Sequence, residues 1–181
     1  MNRSVLIREY IQSTFVQESD AHKKILSASH KEGLPQIQVP SSVGKLLYLI
    51  TKLQNPKRIL EIGTLAGYST EWIRQAAPEA AITTIEPNPL HAKLARAHHP
   101  TLTVIEEDAL ITLKRFSEKQ ETFDLIFLDA NKQAYSQYLP LLLTISKPGT
   151  LILSDNLIPR EEEINNPDPK DPFATSVYAF N

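Results

Sequence analysis

Short apolar stretches alternate with longer amphipathic ones from residue 58 onward. The apolar stretches, which we predict to be strands, cover residues 58–62, 81–86, 102–105, 124–129 and 150–155. Helical spacing of apolar residues follows four of them, over residues 69–77, 90–98, 110–117 and 135–145. Nearly continuous apolar strands, each followed by a helix, are typical of a parallel sheet covered on both faces. Right-handed crossovers then predict an open, doubly wound α/β sheet of the Rossmann-like class.

The regions outside this alternation are predicted to be helices joined by polar loops. Residues 4–29 carry apolar side chains at helical spacing, with one break whose position stays open. Ser41 or Ser42 can cap a further helix, because both precede an apolar periodic stretch. Residues 157–173 are rich in proline and acids and form a long polar loop, and residues 174–180 begin another helix.

Composition narrows the class of protein. The chain has 181 residues, 41% hydrophobic and 22% charged, as expected for one globular domain. It contains no cysteine, which excludes disulfides and thiolate zinc sites. A net charge of −2 without a basic block argues against nucleic acid or an anionic membrane as partner. The first residues lack the apolar core and cleavage site of a secretory signal, so we expect a cytoplasmic protein.

Acidic residues stand at or just beyond the end of every predicted strand. They are Glu61, Glu86, the pair Glu107-Asp108, Asp129 and Asp155. The carboxyl ends of parallel strands share one edge of a sheet, where ligands bind in this class of fold. Any single acid could be a turn or capping residue. Five such positions at one edge favour a ligand site, because clustered carboxylates repel one another unless they receive donors or a cation.

The loop after the first strand, LEIGTLAGYST, contains two glycines. A dinucleotide fingerprint would require glycine where Leu65 and Tyr68 stand, and no Gly-Lys-Ser/Thr follows as in a phosphate loop. The remaining pattern is E-x-G-x-x-x-G, with Glu86 closing the next strand and able to accept hydrogen bonds from ribose hydroxyls. A nucleoside cofactor without a pyrophosphate points to S-adenosylmethionine.

Several blocks together resemble the cation-dependent class I O-methyltransferase family, which includes catechol and caffeoyl-CoA O-methyltransferases. The blocks are GLPQIQVPSSVGKLL, EIGTLAGYS, FLDANK, LSDN and DPFATSVYAFN. The resemblance implies a methyl transfer from S-adenosylmethionine to a hydroxyl of a small aromatic acceptor. It also implies a divalent cation, Mg²⁺ in the first place and Mn²⁺ or Ca²⁺ as alternatives, and a homodimer.

The resemblance also assigns roles to particular residues. It implies Lys132 as the general base, with Asp129 as the second catalytic residue. The implied ligands of the cation are Asp129, Asp155 and Asn156. The implied cofactor-binding residues are Val39, Glu61, Gly63, Thr64, Ser69, Glu86, Asp108, Ala109 and Asp129. Oxygen ligands from adjacent strand ends suit a hard cation such as Mg²⁺.

The same resemblance divides the predicted single domain, residues 1–181, into functional parts. Residues 1–50 form helices that cover substrate and cofactor, residues 57–156 the cofactor-binding core, and residues 157–173 the acceptor-side loop. The family continues past the AFN segment with a helix and two strands. We therefore expect this chain to form a sheet without the family's last two strands.

Other functions stay open on the sequence alone. An NAD-dependent oxidoreductase fits the fold but not the glycine spacing. A nucleic-acid base methyltransferase is a second alternative. Members of that class that methylate exocyclic amines generally resemble one another in an Asn/Asp-Pro-Pro-aromatic motif after the fourth strand. This chain instead has Asp129-Ala130-Asn131-Lys132 there, which argues against this alternative. A non-catalytic protein that binds S-adenosylmethionine or a partner is the third alternative.

Histidines and tryptophan carry weaker expectations. We expect His91, His98 and His99 to be solvated surface residues and Trp72 to pack in the core. The roles of His22 and His30 stay open.

Overall fold

A computed structural model describes residues 3–157, 168 and 170–180. The helices are α1 (Arg3–Phe15), α2 (Asp20–Lys31), α3 (Ser41–Gln54), α4 (Tyr68–Ala76), α5 (Pro89–His98), α6 (Ala109–Glu118), α7 (Tyr135–Thr144) and α8 (Pro172–Phe180). The strands are β1 (Arg58–Ile62), β2 (Ala81–Ile85), β3 (Thr103–Ile105), β4 (Phe123–Leu128) and β5 (Ser146–Ser154). A 3₁₀ helix, Lys132–Ala134, leads into α7. None of the described helices is long and apolar enough to cross a membrane.

The described strands form one parallel sheet in the order β3-β2-β1-β4-β5. This arrangement confirms the predicted doubly wound α/β fold. In the register of the sheet, Ile62 lies opposite Ile85 on one side and Leu128 on the other, so β1, β2 and β4 end level. The strand order reverses beside β1, and such a reversal opens a crevice at the carboxyl ends of the strands.

Successive residues of β1 pack on opposite faces of the sheet. Ile59 belongs to a core that includes Trp72 of α4, whereas Leu60 belongs to a second core that includes Leu113 of α6. All these large side chains are buried, and the burial of Trp72 confirms its predicted core position. A strand buried on both faces needs apolar residues at every position, which explains the continuous apolar pattern of the sequence.

The start of α3 corrects one prediction. Pro40 occupies the N-cap position, and no side chain caps the helix, so neither Ser41 nor Ser42 has the predicted capping role. Pro40 already has the extended backbone of a cap residue, with φ −56° and ψ 147°, and its carbonyl accepts the first helical hydrogen bond from Gly44 N at 2.9 Å. Ser41 is therefore the first residue inside the helix rather than its cap.

The break in the first helical region lies at residues 16–19. Ser19 caps α2 and forms a capping box with His22, in which each side chain contacts the other's backbone N–H. His22 is fully buried, and its ring packs 4.2 Å from that of Trp72, whereas His30 is exposed. The contact therefore joins the amino-terminal helices to α4.

His99 is buried, which corrects the prediction of a solvated surface residue. Its ring lies against the glycine loop, with Nε2 3.0 Å from the carbonyl oxygen of Gly67. Glu71 approaches the other ring nitrogen at 3.5 Å. The Nε2 atom of His98 is also buried, so the expectation fails there too. The carboxyl end of α5 packs under the start of α4, and the sequence pattern did not reveal this contact.

Candidate functional site

A cavity of about 900 Å³ opens at the carboxyl ends of β1, β2 and β4. Most of its wall comes from residues 37–39, 62–65, 85–87, 108–110 and 129–134, and the rest comes from residues 68–69, 91, 137–138, 156 and 172. The predicted site residues on the wall are Val39, Gly63, Thr64, Ser69, Glu86, Asp108, Ala109, Asp129, Lys132 and Asn156. The sheet edge predicted from the strand ends therefore forms the floor of this cavity.

The glycine loop brings its backbone against the neighbouring strand end. Gly63 has a φ of 89°, and its N–H donates to the carbonyl of Ile85 at 2.9 Å. Leu65 also has a positive φ, 50°, and its N–H donates to Oε2 of Glu86 at 2.9 Å. The loop thereby turns sharply from β1 into α4 and exposes backbone to the cavity.

Glu86 is held in place by main-chain donors. Its Oε2 accepts from Leu65 N, and its Oε1 accepts from Asn88 N at 3.0 Å. His91 lies on the same wall, with Nδ1 3.5 Å from Oε1. A carboxylate oxygen has two lone pairs, so each oxygen of Glu86 can still accept a hydroxyl donor from the cavity. This geometry suits the two hydroxyls of a ribose.

Glu61 lies behind the cavity wall rather than on it. It is fully buried and accepts hydrogen bonds from Ser69 Oγ at 2.7 Å and from the hydroxyl of Thr70. Burial raises the pKa of the Glu61 carboxyl, and these hydroxyl donors oppose that rise. Glu61 therefore anchors the first turn of α4, and any direct contact with a cofactor stays a prediction.

The start of α6 forms a further part of the cavity wall. Asp108 caps this helix, because its Oδ1 accepts from Leu110 N at 2.9 Å and Ile111 N at 3.4 Å. Tyr138 faces the same wall, where burial and, secondarily, the charge of Asp108 raise its pKa to about 12. The phenol is therefore protonated near neutral pH and can donate a hydrogen bond.

Asp129 and Lys132 form a close ion pair at the end of β4. Lys132 Nζ lies 2.6 Å from Asp129 Oδ1 and 2.7 Å from the phenol oxygen of Tyr135. The side chains of Lys132 and Asp129 are 14% and 22% exposed, so both remain accessible from the cavity. The short 3₁₀ helix after β4 brings the lysine back over the aspartate three residues earlier.

Asp155 and Asn156 follow β5, next to the end of β4. The N–H of Asp155 donates to the carbonyl of Leu128 at 3.0 Å. Burial, and then the charge of Asp129, raise the pKa of the Asp155 carboxyl, while Lys132 opposes the rise. Asn156 lies on the cavity wall with a φ of 56°. The structure thus brings two carboxylates, an amide and an amine to adjacent strand ends, a group that we call the corner; Asp129, Lys132 and Asn156 line the cavity there, whereas Asp155 does not.

This corner has the donor chemistry of a hard cation site. Among residues 3–157, 168 and 170–180, no three His, Cys, Asp or Glu side chains are grouped so as to hold a metal ion. Asp129 and Asp155 supply carboxylates, and Asn156 would supply an amide oxygen. Such oxygen donors fit Mg²⁺, which uses few protein ligands and keeps several waters.

Sequence reasoning missed the aromatic and imidazole groups of the site. Tyr135 and Tyr138 continue the three-residue spacing that begins with Asp129 and Lys132, and they lie in the first turns of α7, directly after the 3₁₀ helix that carries Lys132. This spacing was available in the sequence. His91 was predicted to be a solvated surface residue, but its side chain is only 17% exposed and lines the cavity. The sequence contains no comparable signal for it, because its position depends on how α5 packs beside Glu86.

Comparison with known proteins gives consistent matches. Residues 12–181 match the family model described as O-methyltransferase. The chain is 33% identical to the catechol O-methyltransferase of Niastella koreensis, over 100% of this chain and 86% of that protein.

Two solved structures are similar over nearly the whole chain. One is the O-methyltransferase from Bacillus cereus in complex with SAH, with a TM-score of 0.89, 31% identity and coverage of 97% of this chain and 83% of that one. The other is the O-methyltransferase TomG from Streptomyces achromogenes in complex with SAM, with a TM-score of 0.89, 30% identity and coverage of 99% and 85%.

Proposed function

The chain belongs to the O-methyltransferase family as an S-adenosylmethionine-dependent enzyme, and we propose that it methylates one hydroxyl of a catechol-like aromatic in a reaction that uses a divalent cation. The observation that carries this proposal is the corner formed by Asp129, Lys132, Asp155 and Asn156 at the margin of the cavity. It combines a potential base with oxygen ligands, as the methylation of a vicinal diol requires.

The wall beside this corner suits the cofactor. We assign the ribose hydroxyls to Glu86, whose oxygens are already oriented by backbone donors. The adenine lies against Asp108 and Ala109, and the methionine portion lies along the backbone of Gly63 and Thr64, beside Val39 and Ser69. These residues share one wall of the cavity, which supports a single extended ligand along it.

The chain's own residues supply the proton transfer and the alignment. Lys132 accepts the proton of the acceptor hydroxyl. The oxygen then forms a bond to the methyl carbon while the carbon–sulfur bond breaks, and its electron pair returns to sulfur to give S-adenosylhomocysteine. Holding oxygen, carbon and sulfur in line can supply roughly 7–11 kcal/mol of the rate acceleration.

Asp129, Asp155 and Asn156 would hold the cation, with Mg²⁺ as the first candidate and Mn²⁺ or Ca²⁺ as alternatives. Oδ1 of Asp129 contacts Lys132, which leaves its second oxygen for the ion. A divalent cation bound here would lower the pKa of a contacting hydroxyl and favour acceptors with two neighbouring oxygens.

We also propose that the protein is a homodimer. Leu46, Leu49 and Leu53 form a stripe along α3 and are 54%, 47% and 86% exposed. The adjoining helix α1 exposes further large apolar side chains, including Tyr10 and Phe15. Contiguous apolar surface of this kind marks protein–protein contacts, and a second copy of the chain is the partner we assign to it.

The function is tested with purified protein, S-adenosylmethionine and 3,4-dihydroxybenzoate as the acceptor. We expect EDTA to abolish methylation and added Mg²⁺ to restore it. Asp155→Ala should lower the rate by roughly 100-fold or more, since cation stabilisation is worth several kcal/mol. Its affinity for S-adenosylhomocysteine, measured by calorimetry, should stay within about twofold because Asp155 lies outside the assigned cofactor wall.

The exposed Asp20→Ala variant is the control and should keep the full rate. Full activity in EDTA would contradict the role of the cation. An unchanged rate in Asp155→Ala would contradict the ligand assignment. Binding of NAD instead of S-adenosylhomocysteine in a parallel titration would contradict the assignment of the cofactor wall.

A further inference from the structure

The phenol of Tyr135 lies beneath the Asp129–Lys132 pair. Its ring is fully buried, with ring centroids 5.4 Å from Phe180 and 6.2 Å from Tyr138. The polar neighbours of the phenol oxygen include Lys132 Nζ at 2.7 Å, the carbonyl of Leu128 at 3.1 Å and the main-chain carbonyl of Asp155 at 3.2 Å. One hydroxyl therefore connects the lysine to the ends of β4 and β5.

The direction of these hydrogen bonds follows from the chemistry of the partners. Both carbonyls can only accept, so the single proton of Tyr135 points to them. The phenol oxygen must then accept a hydrogen bond from Lys132. Burial first, and then the charges of Asp129 and Asp155, raise the pKa of Tyr135, so the phenol keeps its proton across the range in which enzymes work.

The lysine nitrogen has three positions besides its bond to carbon. One donates to Tyr135 and one to Asp129 Oδ1 at 2.6 Å. One position is left, and Lys132 lies on the cavity wall. The two hydrogen bonds therefore fix the direction of the third position, which is the one left for an acceptor in the cavity.

We propose that Tyr135 is a positioning residue that fixes the Nζ atom of Lys132 in place for the acceptor hydroxyl. This proposal rests on the proposed role of Lys132 as the base. Tyr135 touches neither cofactor nor acceptor, and it acts through the lysine. Because the same phenol bonds the carbonyl of Asp155, it also ties the lysine to the strand end that carries two proposed cation ligands.

The test is a double-mutant cycle with Tyr135→Phe and Lys132→Met, with 3,4-dihydroxybenzoate and Mg²⁺. The phenylalanine keeps the ring packing and removes only the hydroxyl. We expect kcat to fall by roughly tenfold, a part of the 10²–10⁴-fold that a well-placed base contributes. KM for the acceptor and affinity for S-adenosylhomocysteine should stay within about twofold. In the Lys132→Met background, Tyr135→Phe should cause no further loss.

A spectroscopic measurement gives a second readout that does not depend on turnover. The Nζ signal of Lys132 in the S-adenosylhomocysteine complex is assigned by its absence from Lys132→Met in a ¹⁵N spectrum of lysine side chains. We expect Tyr135→Phe to shift this signal or to lose it through faster proton exchange. An unchanged signal would overturn the proposal.

The matched control is Tyr48→Phe. Tyr48 also accepts a hydrogen bond from a lysine, Lys52, at 3.2 Å, but this exposed pair on α3 is remote from the cavity. It should leave kcat unchanged. Equal losses from Tyr135→Phe in both backgrounds would show a merely structural tyrosine and overturn the inference. A full rate in Lys132→Met would instead contradict the proposed base.

If Tyr135→Phe does not bind S-adenosylhomocysteine, replacement by 4-aminophenylalanine separates folding from positioning. The aryl amine still donates to the carbonyls but accepts poorly, because its lone pair is delocalised into the ring. The proposal requires kcat to fall in this protein too. Wild-type kcat there would overturn it.

Discussion

Gly63 shows how closely the glycine loop approaches the end of β4. A Cβ atom at this position would lie 2.1 Å from the backbone oxygen of Asp129, well inside van der Waals contact. The backbone also has a φ of 89°, which side chains rarely adopt. Glycine therefore lets the assigned cofactor wall and the proposed cation corner meet.

Replacing Gly63 by alanine should destabilise the fold more than replacing Gly149, a glycine with a similar φ, by alanine. Gly149 has a φ of 91° but open space around it, so Gly149→Ala reports backbone strain alone, about 1–3 kcal/mol. Gly63→Ala adds the clash with Asp129, so we expect it to lower the free energy of unfolding by at least about 2 kcal/mol more. Urea unfolding measures both variants, and equal losses would contradict the steric argument.

Residue-level chemistry was only partly predictable. Glu61 and Glu86 close neighbouring strands in the same way in the sequence, yet one is sealed behind the wall and the other lies on it. The difference arises because Ser69 and Thr70 of α4 fold back over Glu61. A strand-end acid therefore indicates the edge of the sheet, but its depth depends on the helix that follows.

At the level of the elements, Asp124 joins three strands at the amino-terminal edge of the sheet. Its Oδ2 accepts from the N–H groups of Lys57 and Arg58, each at 2.8 Å, and its Oδ1 lies 2.6 Å from Lys147 Nζ on β5. The hydrogen bond from Lys147, opposed by burial and aided by the two backbone donors, lowers the pKa of Asp124 to about 2. The ionised carboxylate thus connects β4 with the starts of β1 and β5.

Loss of this carboxylate should destabilise the fold in a pH-dependent way. A folded pKa below the unfolded one means that the stabilisation is complete above about pH 4 and is lost as the pH falls toward 2. We expect Asp124→Asn to lower the free energy of unfolding by about 1–2 kcal/mol at pH 7. The difference from wild type should shrink between pH 4 and pH 2.5, as followed by urea unfolding.

The control for this prediction lies at the same edge. Glu121 pairs with Arg58, and the side chains of Arg58 and Glu121 are 45% and 34% exposed. Glu121→Gln should therefore change stability by no more than about 0.5 kcal/mol at either pH. A loss in Asp124→Asn that is equally large at pH 7 and pH 2.5 would show that the ionised carboxylate is not its source.

The elements themselves were more predictable than their ends. Apolar runs located every described strand, and most positions of β1, β2 and β4 are buried because a strand between two helical layers has no polar face. The exception is the start of β5, which lies at Ser146 rather than 150. There Pro148 and Gly149 imitate a turn, and the pairing with β4 shifts register between Phe123 and Leu125.

For the whole molecule, the amino-terminal helices have two different faces. One face joins the core: His22 of α2 packs against Tyr68 and Trp72 of α4, and Glu18 accepts a hydrogen bond from the Tyr68 phenol at 2.6 Å. Tyr68 lines the cavity, so these contacts lie directly behind one of its wall residues, and a covering role of the helices over substrate and cofactor stays a prediction. The other face carries the apolar stripe of α3, which the described part of the chain leaves exposed.

Charges placed on this stripe should separate the proposed dimer. The double variant Leu49→Glu/Leu53→Glu puts two carboxylates on a face that we expect to meet its own copy, where like charges would be buried without partners. Sedimentation velocity should show a dimer for the wild type and a monomer for the variant. Leu143→Glu is the matched control, because Leu143 is 62% exposed on α7, against the opposite face of the sheet, and should remain dimeric. A monomeric wild type would contradict the proposed homodimer. A double variant that still sediments as a dimer would show that the interface lies elsewhere.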